Sequence, residues 1–166
     1  MSHRRALALA LLPLLQAAGA GAEPPQVEHQ PATCTVPGQP VSLCATITDD
    51  GQVAKARLYF RAAGEKFYSF VEMEFGGINY CGTLPAPREG KVKSIDYYVQ
   101  AIDDSFESQR TSTFTLAVQP EGVCEFPPVE KNASPAQAIV VHATNAKQGK
   151  KLPDGFLAAG VTFVGE

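Results

Sequence analysis

The chain has 166 residues, enough for one ordinary domain with short extras. Its 14 basic and 17 acidic side chains leave a formal charge of −3, which argues against a nucleic-acid binder, because that work needs a clustered basic face. With 13 prolines and 14 glycines the chain is heavily punctuated, as many short strands require.

The first segment reads as a targeting signal. Arg4 and Arg5 give a basic start, residues 6–15 form an apolar run broken only by Pro13, and small residues end in Ala20-Gly21-Ala22. That is the three-part build of a secretory signal peptide. The run is too short for a membrane span, which needs about 20 apolar residues. We expect a signal peptide over 1–22, a mature chain from Glu23 and no stable membrane span after cleavage. The product is secreted or periplasmic, with an uncleaved anchor as the alternative. In an oxidising compartment the four cysteines, Cys34, Cys44, Cys81 and Cys124, read as two structural disulfides. None is spaced C-x-x-C, so neither a zinc site nor a thioredoxin-type site is indicated. Four cysteines allow three pairings.

The mature chain alternates like half-buried strands. A first strand is expected within 27–36. Over 41–47, Val41, Leu43, Ala45 and Ile47 alternate with Ser42, Cys44 and Thr46. Over 54–61, Ala54, Ala56, Leu58 and Phe60 alternate with Lys55, Arg57, Tyr59 and Arg61. A period of two puts each set on its own face of a sheet. Asp49-Asp50-Gly51 is a turn between them. Residues 67–75 read as one strand with Ser69, Val71, Met73 and Phe75 on one side. Gly76-Gly77 is a hairpin turn into a strand over 78–84. Residues 94–102 place Ile95, Tyr97, Val99 and Ala101 inward, and 111–118 place Phe114, Leu116 and Val118 inward. No segment repeats apolar residues at helical spacing over three turns. The expected fold is all-β, an antiparallel β-sandwich of about seven strands over 23–124. A partly irregular tail follows over 125–166, with room for one extra strand at 138–143. Its basic stretch 147–151 reads as flexible, and 152–164 is apolar yet too short to span a membrane.

The runs Ala56-Arg57-Leu58-Tyr59-Phe60-Arg61, Leu84-Pro85 and Tyr97-Tyr98-Val99-Gln100-Ala101-Ile102-Asp103, with Met73 between, carry a resemblance. Over residues 27–120 the chain resembles the Ig-like and fibronectin type III-like modules of bacterial envelope proteins. It departs from them in having no tryptophan and no tyrosine at the expected corner position, Ile95. The resemblance implies an adhesive, spacer or recognition module with no catalytic residues to carry over.

Three expectations follow from that topology. First, strands 41–47 and 78–84 are neighbours in such a sandwich, and Cys44 and Cys81 both have outward parity, so they pair. Cys34 then pairs with Cys124, with Cys34–Cys44 across a hairpin as the competitor. Second, Asp49, Asp50, Asp103 and Asp104 gather at one end with Glu107 nearby. Turn chemistry explains them better than a calcium site does. Third, Arg57, Tyr59, Arg61, Tyr68, Phe70 and Tyr98 share the outer face of one sheet with Glu72, Gln100 and Ile102. That composition is typical of an interface hot spot. Its cover is either the tail or another molecule.

The rest of the search for chemistry returns little. His29 and His142 read as surface or sheet-edge residues, without the partners of a metal pair or a Ser-His arrangement. No metal or cofactor is expected. Asn132-Ala133-Ser134 matches a glycosylation sequon, read here as a chance match because Pro135 follows and the character is bacterial. The favoured function is a non-catalytic exported module for protein binding or spacing, with an unidentified protein partner in the envelope. A carbohydrate-binding module is the alternative, and the missing tryptophan counts against it.

Overall fold

The computed structural model describes residues 23–124, 138–148 and 151–165. The expected signal segment 1–22 and the sequon at Asn132 lie outside the described residues. Twelve strands follow in chain order: β1 (Gln26–Glu28), β2 (Cys34–Thr35), β3 (Val41–Thr48), β4 (Val53–Ala62), β5 (Ser69–Glu72), β6 (Glu74–Phe75), β7 (Tyr80–Leu84), β8 (Ser94–Asp103), β9 (Ser108–Arg110), β10 (Phe114–Val118), β11 (Ile139–Ala143) and β12 (Val161–Val164). The one helical piece among the described residues is a 3-10 turn, Ala146–Gln148. Among the described residues no helix is long and apolar enough to cross a membrane.

The strands form two sheets. The smaller runs β1-β3-β7-β6, and the larger runs β12-β11-β5-β4-β8-β10-β2, with β9 also paired to β8. One of the two sheets is a curled half-barrel. The larger sheet's pairings are antiparallel except at its two edges, where β2 lies parallel to β10 and β12 parallel to β11. The alternation of β4 and β8 sets the core. Leu58 and Phe60 from one, and Ile95, Tyr97, Val99 and Ala101 from the other, are fully buried. Burying each large side chain of this set stabilises by roughly 1.5–3 kcal/mol.

Several strands differ from the sequence reading. The expected first strand is two strands in different sheets, β1 on β3 and β2 on β10. The expected strand over 67–75 also divides. β5 pairs with β4 in the larger sheet and β6 with β7 in the smaller, and the chain changes sheets at buried Met73. Phe75, expected inward, lies 59 % exposed against the Tyr80 ring. β10 starts at Phe114, and β9 folds back along β8 before it.

The described part of the tail belongs to the same body. β11 pairs with β5 and carries β12 at its outer edge. Thr144 Oγ1 and Gln148 Nε2 donate to the Tyr68 carbonyl, clamping the turn after β11 to the start of β5. Further on, Phe156 is buried against Phe60 and bridges to Pro87.

Two disulfides brace the fold. Cys44 and Cys81 sit opposite each other on β3 and β7, and Cys34 of β2 is joined to Cys124 just beyond β10. Such bonds form and persist in oxidising compartments, which makes this an exported protein. His29, expected at a surface or edge, instead lies half-buried where the chain crosses between β1 and β2. Its Nδ1 is 2.8 Å from the Cys44 carbonyl in the smaller sheet, and its Nε2 is 3.0 Å from the Tyr97 hydroxyl in the larger. A carbonyl only accepts, so Nδ1 donates and Nε2 takes the tyrosine proton.

Candidate functional site

The outer face of the larger sheet holds a row of aromatic side chains, one from each of four adjacent strands. The register places Tyr59 opposite Tyr98 on one side and Phe70 on the other, and Phe70 opposite His142. Parity makes the row: because Leu58, Phe60 and Val71 point inward, Tyr59 and Phe70 must point outward. Directly opposed side chains in a sheet stand close enough for their rings to touch.

The rings meet in series. Tyr98 and Tyr59 stack at 4.7 Å between centroids with 7° between planes. Tyr59 leans on Phe70 at 5.4 Å, and Phe70 stacks on His142 at 4.8 Å and 12°. Tyr68 meets Tyr98 edge-on at 5.1 Å. Arginines close over these rings. The guanidinium carbon of Arg57 lies 4.4 Å from the Phe70 centroid, Arg61 lies 4.5 Å from Tyr68, and Arg110 lies 5.0 Å from Tyr98. Each arrangement is a cation–π contact. Arg57 also pairs with Glu72 at 3.0 Å and Arg61 with Asp96 at 3.3 Å.

The electrostatics follow from this packing. Desolvation works against the charge of Arg57, but its contacts with Tyr59 and Glu72 outweigh that and hold its pKa above the ordinary value. Burial raises the Tyr98 hydroxyl, the neighbouring Tyr59 adds to the rise, and Arg110 opposes it. Lys55, Arg57, Arg61 and Arg110 outnumber Glu72 and Asp96 on this face, so it is cationic on a chain whose net charge is negative.

All six side chains of the sequence-derived face, Arg57, Tyr59, Arg61, Tyr68, Phe70 and Tyr98, stand together and half-exposed. The described tail does not take the place of a lid. It joins the sheet edgewise through β11 and prolongs the face with His142. The result is a cleft of about 290 Å³ lined by Arg57, Tyr59, Phe70, His142, Thr144 and Val164, among others. Sequence reasoning missed His142 and Arg110. The alternation Val140-Val141-His142-Ala143, with Val141 and Ala143 buried, was the signal for the first.

Of the acidic residues expected at one end, Asp49 and Asp104 come together at Gly51, and Asp103 joins Glu107. Asp103 is buried and its Oδ1 accepts the Glu107 N–H at 2.7 Å, while Asp49 accepts the Gly51 N–H at 2.8 Å. These are turn-forming bonds. Among the described residues no group of three or more His, Cys, Asp or Glu side chains is arranged to hold a metal ion.

A scan against protein-family models finds no match, and neither does a search of curated proteins. Among solved structures, the chain is similar to a crystal structure of a mutant SrpA adhesin from Streptococcus sanguinis. Identity is 15 % and the TM-score 0.40, over 59 % of this chain and 58 % of that one. The chain therefore spans less than two thirds of that structure's length. A likeness that distant carries no argument about function.

Proposed function

We propose that this chain is a non-catalytic, Ig-like exported module that binds a protein partner through the Tyr98–Tyr59–Phe70–His142 row. The observation that carries the reading is the row itself: aromatic rings and arginines concentrated on one half-exposed face of a sheet. Interfaces are enriched in these residue types, and a few such side chains supply most of the binding energy. The histidines support a non-catalytic reading. His29 is engaged with a backbone carbonyl and a tyrosine hydroxyl, and the His142 ring is stacked on Phe70.

The stacking also weighs against the carbohydrate alternative. A sugar platform needs free ring faces. Here Tyr59 and Tyr98 cover one face of each other, while Arg57 and His142 lie over Phe70. What the row offers a ligand is largely ring edges, hydroxyls and guanidinium groups.

The experiment is a capture from envelope extract by the immobilised mature chain, beside a glycan array. The expected result is a discrete protein held by the wild type and lost with Tyr59→Ala plus Tyr98→Ala, while the melting curve stays cooperative. Glycan binding lost with the same pair would replace protein with carbohydrate. No effect of the pair on any ligand would remove the functional reading of this face.

A further inference from the structure

A second outward feature lies on the loop between β8 and β9. Phe106 is 88 % exposed at its tip. Its φ of 66° is the one positive value at a non-glycine residue among the described residues. Glycine occupies the other such positions, as expected where a side chain is disfavoured. The loop is held firmly in this shape. The Asp103 N–H reaches the Glu107 carbonyl at 3.0 Å, its buried carboxylate takes the Glu107 N–H, and the Asp104 N–H reaches the Gln52 carbonyl at 3.0 Å. A large apolar ring is thus presented to solvent by a fixed scaffold. Asp104 and Glu107 lie within two residues of it in the chain, and at Gly51 the side chains of Asp49 and Asp104 come together.

We propose that the Phe106 tip of one copy docks into the Arg57–Tyr59–Phe70–His142 cleft of a second copy. This rests on the reading of that face as a protein-binding surface and names its occupant. Size and charge both fit. The cleft measures about 290 Å³, and an apolar cavity of about 150 Å³ already accepts a benzene ring. Asp104 and Glu107 stand on the tip loop, whereas Lys55, Arg57, Arg61 and Arg110 outnumber Glu72 and Asp96 on the face, so approach of tip to face is attractive and approach of face to face is repulsive. The tip cannot serve its own cleft. It leaves β8 beyond Asp103, about 16 Å along the strand from Tyr98, and the cleft opens on the far side of β4. Tip and face are different patches, so the contact is heterologous. It closes into a pair if the rotation allows and extends into chains otherwise.

Sedimentation velocity on the mature chain, from about 1 µM to about 1 mM, covers the affinities expected of such a contact. The expected result is association that weakens about tenfold or more when salt rises from about 0.05 M to about 0.5 M. Phe106→Gly should abolish it without lowering the melting temperature, because glycine relieves the left-handed backbone. Arg57→Glu should also abolish it, and Val164→Glu, at an exposed position lining the cleft, stands in should Arg57→Glu fold poorly. The decisive arm mixes the two kinds of variant. Phe106→Gly keeps its face and Arg57→Glu keeps its tip, so each alone is monomeric while the mixture forms a one-to-one complex. A wild type that stays monomeric across the range, or a Phe106→Gly chain that associates like wild type, overturns the proposal. If the monomeric wild type still captures an envelope protein through Tyr59 and Tyr98, the binding reading of the face stands and only the self-docking falls.

Discussion

Phe156 meets Phe60 edge to face in the core, with ring centroids 5.1 Å apart and planes at 83°. The two residues come from opposite ends of the fold's history in the chain: Phe60 from an early strand, Phe156 from a segment that follows β11. Around them, the Arg88 N–H reaches the Gly155 carbonyl at 2.8 Å, the Leu157 N–H reaches the Ala86 carbonyl at 2.8 Å, and Arg88 Nε reaches the Phe156 carbonyl at 3.0 Å. The C-terminal segment is therefore part of the core.

Phe156→Ala should accordingly destabilise as a core truncation does, by about 3–5 kcal/mol. For a chain of this size that is a fall in Tm on the order of 10 °C. Thermal unfolding followed by near-ultraviolet circular dichroism checks it. A fall of a degree or two would mean that the segment is only loosely seated against Phe60.

Gly155 offers a sharper test of the same contact. A Cβ built there would lie 2.4 Å from Val92 Cγ2, and Val92 is buried. Gly155→Ala should cost about 1–3 kcal/mol, the usual penalty for overpacking. Val92→Ala alone should also destabilise, by leaving a cavity. Combined, the two should cost clearly less than their sum, because the new methyl fills the space the valine vacates. Denaturant midpoints of the four chains give the coupling. Strict additivity would show that residues 92 and 155 do not touch.

The sequence reveals such features unevenly, for a physical reason. Within a single strand, parity suffices where the ladder is regular: β8 alternates throughout and β4 from Ala56 to Phe60, so Arg57, Tyr59 and Tyr98 are legible as outward residues, whereas a register shift at the start of β4 leaves Ala54 exposed. Parity is blind to a change of sheet. Alternation runs on through Met73 while the chain leaves one sheet for the other, so β5 and β6 read as one strand and Phe75 reads as buried. It is also blind to which strands become neighbours. His142 joins the aromatic row only because β11 pairs with β5, a contact between residues far apart in the chain. Phe106 gives no sign at all, since a left-handed loop position is normally betrayed by glycine.

The disulfides should contribute comparably despite their different spans. Cys34–Cys124 has a sequence separation of 90 and Cys44–Cys81 one of 37. Because the loop term grows only with the logarithm of length, the chain-entropy model gives about 4.6 and about 3.8 kcal/mol, before any strain. Replacing either pair by alanines should lower the denaturant midpoint by similar amounts, and non-reducing peptide mapping should recover both bonds. A Cys34–Cys44 peptide would overturn the pairing, and a far larger loss for one pair would show that the native state, more than the unfolded chain, sets its contribution.

His29 should make the fold less stable in mild acid. Burial lowers its pKa from the ordinary 6.5, and the bond to the Cys44 carbonyl only partly offsets that. Protonation would also put an N–H where Nε2 now accepts the Tyr97 hydroxyl proton. In the unfolded chain nothing opposes the proton, so below about 6.5 the unfolded state binds more protons than the folded one. The stability from neutral His29 is therefore fully present above 6.5 and lost as pH falls from there through the lower folded-state value. The partner bounds the other end. Burial pushes the Tyr97 hydroxyl up to about 12, while the Ala32 backbone hydrogen bond pulls the other way, so its contribution is intact below 10 and lost as pH rises toward 12. His29→Gln can still donate to Cys44 and accept from Tyr97 but cannot titrate. It should lower Tm at neutral pH modestly and flatten the decline between pH 7 and pH 5. The comparison is the difference in Tm between wild type and variant across that interval. If the two curves run parallel, another group carries the acid sensitivity, and the bridge between the sheets is structural only.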